Sequence, residues 1–196
     1  MNTAPVPERL LLGPGPSPVP QRVLQAMASP VLGHLDPAFL AVMDETMTLL
    51  RQAFLTTNNL TIPISGTGSG GMEAAVMNLI EPGTPAVVVT AGYFGERIAE
   101  MARRAGADVV TVPAPWGRPA DLLAGEDAVR GSGARVLAAV HVETSTGVLQ
   151  PLPPLVDIAH HHGAFLLVDT VTSLGGVELP LDDWGVDHGS PAPSAA

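Results

Sequence analysis

Short apolar runs that alternate with helical segments constrain the fold of this chain more than any other feature of its sequence. Runs rich in Val, Leu, Ile and Ala predict strands, at residues 60–64, 86–90, 109–112, 136–142 and 165–168. Segments typical of helices separate or precede them, at residues 68–80, 95–105, 120–130 and 155–162. Short apolar strands joined through helices form parallel sheets that are covered on both faces. The predicted fold class is therefore α/β, with a mainly parallel sheet and helices on both of its faces.

The region before this pattern predicts an arm and two helices. Residues 1–20 are rich in Pro and Gly, which predicts an extended arm, and residues 21–27 form a short predicted helix. Asp36-Pro37 pairs an N-cap residue with proline at the first helical position. Apolar residues at helical spacing follow it and predict an amphipathic helix to about residue 55.

The end of the sequence differs in kind from the rest. From residue 188 onward it is of low complexity and lacks core residues, so we expect residues 188–196 to be disordered. A repetitive α/β pattern that stops without a closing element predicts a truncated domain, here residues 21–187.

Composition and charge argue against several classes of protein. Hydrophobic residues make up 46% of the chain, which supplies ample material for a core. The longest apolar runs are far too short to span a bilayer, and the first residues lack the pattern of a signal peptide. The absence of cysteine excludes a disulfide-stapled fold, so we expect a cytoplasmic protein with no membrane partner. A net charge of −10 argues against nucleic acid as a partner.

A glycine-rich turn, S-G-T-G-S-G-G at residues 65–71, precedes a predicted helix. Such a turn exposes backbone N–H groups and the positive end of the helix dipole, which suits a phosphate group. The hydroxyls of Thr67 and Ser69 add donors. The glycines also match the G-x-G-x-x-G spacing of dinucleotide sites. That interpretation and a plain tight turn both stay open at this point.

Polar and aromatic residues follow the predicted strands. Ligands of open α/β sheets bind just outside the carboxyl ends of the strands, where Asp169 could hold the protonated nitrogen of a pyridine cofactor. Residues 141–147, H-V-E-T-S-T-G, offer hydroxyls to a phenolic oxygen. Tyr93 and Phe94 offer rings that could stack on a flat cofactor. Each feature also has a purely structural alternative. Asp169 could be a loop or N-cap acid, residues 141–147 a polar turn, and the two rings ordinary packing.

Three consecutive histidines at residues 160–162 invite a metal-binding interpretation. On a helix, consecutive side chains point in three directions, so these three do not converge on one ion, and the chain has no Cys to join them. We therefore predict no metal site.

Six segments of the sequence together resemble one known family. They are L-G-P-G-P at 12–16, S-G-T-G-S at 65–69, E-A-A at 73–75, G-Y-F-G at 92–95, E-T-S-T-G-V-L-Q-P at 143–151 and V-D-T-V-T-S-L-G-G at 168–176. In this order they are similar to the class V aminotransferases, above all to the alanine–glyoxylate and serine–glyoxylate (serine–pyruvate) branch. The resemblance covers roughly residues 11–187.

The resemblance implies a fold, a cofactor and a set of binding residues. The fold is the large domain of fold-type I pyridoxal-phosphate (PLP) enzymes, which are usually dimeric. The implied cofactor-binding residues are Thr67, Gly68 and Ser69 for the phosphate, Phe94 for stacking on the ring, Thr144 for the ring oxygen and Asp169 for the ring nitrogen. Gly15 falls in an arm that helps to shape the substrate pocket of relatives.

The sequence departs from the family at its chemical centre, because it contains no lysine. In relatives a lysine forms the Schiff base with the cofactor, and at the family's spacing it would fall near Ala195. From the resemblance we also expect the last strands of the large domain and the small C-terminal domain, with the arginine that binds the substrate carboxylate, to be missing from this chain. No other side chain replaces an amine that acts as nucleophile and base, so we assign no catalytic residue.

The family's reaction is amino transfer from a small amino acid, alanine or serine, to glyoxylate or another 2-oxo acid. We expect this chain alone to be inactive. One alternative is a non-catalytic chain that holds PLP weakly, or that pairs as a homodimer or with a complementary C-terminal half. Another is a Rossmann-type nucleotide-binding domain, which predicts an acid at the end of the second strand. The run at 86–90 instead leads into Ala91 and Gly92.

Overall fold

The computed structural model describes residue 7 and residues 9–186. The predicted disordered tail, 188–196, and the first six residues of the predicted arm lie outside this part of the chain. Contacts divide the chain into two compact units, Met1–Met43 and Asp44–Ala196. In the first unit, residues 9–20 form neither helix nor strand.

Seven helices form in the described part of the chain. They are α1 (Gln21–Met27), α2 (Pro37–Ala53), α3 (Gly68–Leu79), α4 (Tyr93–Arg104), α5 (Leu122–Ser132), α6 (Pro153–His161) and α7 (Leu181–Trp184). The predicted start of α2 is confirmed, because the Asp36 carboxylate accepts a 2.8 Å hydrogen bond from the Ala38 N–H. None of the described helices is both long enough and apolar enough to cross a bilayer.

Four parallel strands form the central sheet, which confirms the predicted fold class. The strands of the structure are β1 (Pro85–Thr90), β2 (Asp108–Pro113), β3 (Val136–Val140), β4 (Val142–Glu143), β5 (Val148–Leu149) and β6 (Phe165–Asp169). The sheet order is β2-β1-β3-β6, and β4 pairs with β5 in a separate antiparallel hairpin. The order reverses between β1 and β3, and such a switch point is where open α/β sheets bind ligands.

Alternate residues of each strand pack on opposite faces of the sheet. Val87 and Leu137 join one cluster with residues of α5 and α6, while Val88 and Ala138 join another with residues of α4. A third cluster holds Val76 of α3 against Ala86 and Val136. Helices therefore cover both faces, as predicted.

The predicted strand at 60–64 is wrong, since no strand forms there. Leu60, Ile62 and Ile64 keep 76%, 51% and 47% of their surface exposed. Pro63 in the middle of the run lacks an N–H to donate to a neighbouring strand. The alternation of apolar residues is real, but the segment borders a groove instead of pairing in the sheet.

The predicted strand at 136–142 is divided in two by the structure. β3 ends at Val140, and the chain turns at His141, whose carbonyl accepts from the Gln150 N–H at 2.8 Å. The next two residues form β4 of the small hairpin. Helix α7 had no counterpart in the sequence prediction.

Candidate functional site

A cavity of about 150 Å³ lies at the carboxyl edge of the sheet. It is lined by residues from the start of α3, the start of α4, the β4–β5 turn and the segment after β6. All six predicted cofactor-binding residues are among them, namely Thr67, Gly68, Ser69, Phe94, Thr144 and Asp169. These residues lie up to about half the chain apart in sequence, so their convergence is produced by the fold.

The first turn of α3 forms one side of the cavity. Thr67 is the N-cap, in an extended conformation, and its carbonyl accepts from the N–H groups of Gly70 and Gly71. The first N–H groups of a helix have no partner within the helix. In the described part of the chain those of Gly68 and Ser69 donate to no protein acceptor. With the positive end of the dipole, they form a site suited to a phosphate.

Gly68 leaves room for a ligand at this helix end. A Cβ at this position would lie 2.8 Å from Cγ2 of Val171, which also lines the cavity. A side chain here would therefore fill part of the cavity between α3 and the segment after β6. The sequence alone had left a plain tight turn and a dinucleotide motif open for these glycines. The dinucleotide motif needs a preceding strand, and among the described residues none precedes Gly66.

Asp169 ends β6 at the opposite side of the cavity. One carboxylate oxygen, Oδ1, accepts a 2.9 Å hydrogen bond from the Val171 N–H. The other oxygen accepts none from the described residues. Asp169 therefore stabilises the loop after β6 with one oxygen, while its other oxygen is free to accept a hydrogen bond from a ligand in the cavity.

Thr144 lies in the turn between β4 and β5, and its hydroxyl is hydrogen-bonded to that of Thr172. A hydroxyl carries one proton and two lone pairs. If Thr144 accepts from Thr172, it keeps a proton to donate to an oxygen in the cavity. Residues 141–147 therefore include a polar turn, as one interpretation of the sequence predicted, and the same turn places the Thr144 hydroxyl at the cavity.

Phe94, in the first turn of α4, supplies the aromatic wall. Tyr93 meets it edge-on, with ring centroids 5.3 Å apart and planes at 85°. Phe94 lines the cavity, whereas Tyr93 is 53% exposed. The backbone N–H of Phe94 donates to the carboxylate of Glu143, a side chain with no solvent exposure.

Some residues of the site had no predicted role. Arg97, Met72 and Val171 line the cavity. Glu143 supports its wall through the hydrogen bond from the Phe94 N–H. Arg97 lies one helical turn after Phe94, and that spacing on a predicted helix was the available signal. Glu143 lay within a segment already singled out, but nothing in the sequence indicated its partner.

Two other sequence predictions concern Gly15 and metal binding. Gly15 belongs to the first compact unit, where it precedes a cis peptide bond to Pro16, and its substrate role stays a prediction. No group of three His, Asp or Glu residues in the described chain is arranged to hold a metal ion.

The fold and the cavity agree with the family comparison, and the chain belongs to the aminotransferase class-V family, whose model matches residues 9–190. It is 42% identical over 183 residues to an alanine–glyoxylate aminotransferase of Drosophila melanogaster, covering 93% of this chain and 46% of that protein. It is 38% identical to an (S)-ureidoglycine–glyoxylate transaminase of Bacillus subtilis, covering 92% of this chain and 44% of that protein.

A crystal structure of an alanine–glyoxylate aminotransferase from Nostoc sp. superposes on this chain with a TM-score of 0.91 and 52% sequence identity. The superposition covers 95% of this chain and 50% of that one. The chain thus spans about half the length of the relatives it matches. PLP is the cofactor that membership of this family implies, and the lining of the cavity fits its phosphate, ring and ring nitrogen.

Proposed function

We propose that this chain forms the PLP-binding part of an aminotransferase that moves an amino group from a small amino acid, alanine or serine, to glyoxylate or another 2-oxo acid. The observation that supports the proposal is the convergence of the six predicted cofactor-binding residues on one cavity at the switch point of the sheet. The similarity to alanine–glyoxylate aminotransferases supports the substrate class. We also propose a cytoplasmic location.

Each wall of the cavity has one task toward the cofactor. The N–H groups of Gly68 and Ser69, with the hydroxyls of Thr67 and Ser69, bind the phosphate. Phe94 packs on one face of the ring and excludes water from it. When bound, PLP supplies an electron sink for the amino acid's α-carbon.

The polar end of the cavity holds the ring in one orientation. The free oxygen of Asp169 would accept a hydrogen bond from the protonated ring nitrogen, and its negative charge would keep that nitrogen protonated. Thr144 donates to the ring oxygen. A charge-assisted hydrogen bond of the Asp169 kind is stronger than a neutral one, so Asp169 contributes most to orientation.

We propose that the chain does not transaminate on its own, because its sequence holds no lysine to act as nucleophile and base. Incubated with alanine, glyoxylate and PLP, the purified chain should form no pyruvate above the background with PLP alone. After borohydride reduction, mass spectrometry should find no cofactor attached within residues 9–186. Turnover by the chain would refute this part of the proposal.

Binding is the test of the cofactor site. Calorimetric titration should show that PLP binds more tightly than pyridoxal, which lacks the phosphate. Asp169→Asn should weaken PLP binding roughly ten- to hundredfold. Asp157→Asn, an exposed aspartate on α6, is the matched control and should change nothing. Equal affinity for PLP and pyridoxal, or equal effects of the two variants, would overturn the assignment.

A second proposal is that a complementary, lysine-bearing C-terminal half completes the site. β6 is an edge strand, with β3 as its only partner among the described residues. A groove of about 630 Å³ runs beside it, lined by the apolar side chains Leu60, Ile62, Ile64, Val168, Leu181 and Val186. An unpaired edge with apolar surface beside it is suited to the addition of further chain.

This second proposal has its own matched pair of variants. Leu60 in the groove is 76% exposed, and Leu123 on α5 is 73% exposed. Co-expressed with the lysine-bearing half of a class V aminotransferase, the chain should co-purify with it, and Leu60→Arg should abolish this while Leu123→Arg should not. Failure to co-purify would refute the proposal. A dimer of the chain alone that Leu60→Arg dissociates would instead place a second copy in the groove.

A further inference from the structure

Glu143 is a buried carboxylate beside the cavity, and both of its oxygens are hydrogen-bonded. It has no solvent exposure. Its Oε1 accepts from the Ser145 hydroxyl at 2.7 Å and from the Ser145 N–H at 3.2 Å. Its Oε2 accepts from the N–H groups of Phe94 and Gly95, at 3.1 Å and 3.2 Å. Burying a carboxylate is costly unless it is fully hydrogen-bonded. The hydrogen bonds to both oxygens of Glu143 offset that cost.

The carboxylate acts as the N-terminal cap of a helix to which it does not belong. Helix α4 has Gly92 as its own N-cap, which offers no side chain. The N–H of Tyr93 donates to the Ser145 hydroxyl at 3.0 Å, and the next two N–H groups donate to Glu143. The unpaired donors and the positive dipole end of α4 are thus satisfied by the β4–β5 hairpin.

The hairpin and the helix start are in close contact at Gly92. A Cβ on this residue would lie 2.5 Å from Cγ of Glu143 and 2.5 Å from Oγ of Ser145. Glycine is required here by space, since the backbone itself is extended. The two segments cannot be separated by a side chain without losing the hydrogen bonds.

These two segments carry two of the proposed cofactor ligands. Phe94 lies in the first turn of α4, and Thr144 is adjacent to Glu143 in the hairpin. Both line the same cavity. The hydrogen bonds of Glu143 therefore fix the spacing between the aromatic wall and the Thr144 hydroxyl.

We propose that Glu143 is a positioning residue, which locks the start of α4 to the β4–β5 turn and so holds the Phe94 ring and the Thr144 hydroxyl at the spacing that the PLP ring requires. This inference rests on the proposed cofactor site. It differs from that proposal in assigning a role to a side chain that does not touch the cofactor.

Glu143→Gln tests the inference, because it keeps the size of the side chain while turning amide N–H groups toward backbone N–H groups. PLP affinity should fall roughly ten- to hundredfold. The visible circular dichroism per bound PLP, which reports how the ring is held, should also change. Gln150→Met is the matched control, since Gln150 is likewise buried and accepts from a backbone N–H, that of Ala120, at 2.8 Å. It should lower stability without altering the dichroism.

A double-mutant cycle separates positioning from general support. If Glu143 acts through Phe94, the loss of affinity in the double variant Glu143→Gln/Phe94→Leu should be clearly smaller than the product of the losses in the two single variants. Multiplicative losses, or an unchanged dichroism in Glu143→Gln, would overturn the inference.

Hydrogen exchange keeps the test independent of the cofactor. Without PLP, Glu143→Gln should lower the protection of the Phe94 and Gly95 amides at least tenfold, while the amides of β1 and β3 stay protected. Unchanged protection would refute the inference even if PLP binds. If the parent chain fails to bind PLP, the proposed function falls, and the positioning role toward the cofactor falls with it, whereas lost amide protection would still establish the helix cap.

Discussion

Strands β3 and β6 lie side by side in the sheet, yet they are covered very differently. Every residue of β3, Val136–Val140, is buried. In β6, Phe165–Asp169, only Leu166 is fully buried, although the two strands pair over five residues. Among the residues that the structure describes, β3 has a strand on each side, whereas β6 has one neighbouring strand and an apolar groove beside it.

The difference shows which side of the sheet is covered by the described part of the chain. The core around β1 and β3 is covered on both faces by the chain's own helices, so its apolar side chains are already buried. The β6 side carries apolar surface that gains stability only when something else covers it. The proposed cofactor cavity spans both regions, since Phe94 follows β1, Thr144 follows β3 and Asp169 ends β6.

The largest expected difference is between two leucines on the two strands. Leu137 of β3 has no exposure, and Leu167 of β6 is partly buried. Leu137→Ala should lower the free energy of unfolding by about 2–5 kcal/mol, and Leu167→Ala by about 1–2 kcal/mol. Urea unfolding followed by circular dichroism measures both. Equal losses would show that the β6 side is as closed as the β3 side.

The next largest effect on stability is expected where helix α4 packs closely on the interior strand β1. A Cβ on Gly95 of α4 would lie 2.8 Å from the Val89 carbonyl oxygen and 2.9 Å from Cα of Thr90, which are backbone atoms of β1. Gly95→Ala should therefore destabilise the chain by about 1–3 kcal/mol. Gly131→Ala, in α5 with nothing within 4 Å, should instead stabilise it by about 0.5–1 kcal/mol. Shifts of the same sign in thermal denaturation would contradict the packing described here.

Sequence reasoning worked where one short segment held all the information. The runs at β1, β2, β3 and β6 were predicted within one or two residues, because apolar strands of a covered parallel sheet are continuous in sequence. The run 60–64 failed, because its alternation did not reveal that it lacks a strand partner. The six predicted cofactor-binding residues came from the family resemblance, and the fold was needed to show that they share a cavity.

Glu143 shows why the remainder of the site was out of reach of the sequence. Its backbone partners, Phe94 and Gly95, lie 49 and 48 residues away. No local pattern links an acid after one strand with the first turn of a helix after another. The topological order of β1 and β3 brings them together.

A smaller effect is expected on the groove side of the molecule. Thr57 donates from its N–H and its hydroxyl to Oδ2 of Asp182, each at 2.8 Å, which ties the segment after α2 to α7. Asp182→Ala should cost about 1 kcal/mol, because these bonds are exposed to water. The exposed neighbour Asp183, changed to Ala, is the control and should cost less. A loss as large as that of Leu137→Ala would mean that the groove side is not the weaker region.

The smallest effect is a pH dependence at the junction of the two regions. His141 follows β3, meets Trp184 of α7 edge-on with centroids 5.8 Å apart, and its Nδ1 has no partner among the described residues. Burial lowers the pKa of His141 below its ordinary value of 6.5. As the pH falls, His141 of the unfolded chain takes up its proton near pH 6.5, before His141 of the folded chain does. The free energy of unfolding should therefore fall as the pH falls from 6.5 through the lowered pKa of the folded chain.

Urea unfolding at pH 7.5 and pH 5.5, values on either side of about 6.5, measures this dependence. His141→Gln should reduce the loss at the lower pH, whereas His161→Gln, an exposed side chain, should not. A loss that is the same in the parent chain and in His141→Gln would remove His141 as its source.

A crystal structure of the chain with PLP tests the central claim most directly. The account predicts the phosphate on the N–H groups of Gly68 and Ser69, the ring against Phe94 and the ring nitrogen at the free oxygen of Asp169. An empty cavity at saturating PLP, or a cofactor bound with its phosphate away from α3, would contradict it.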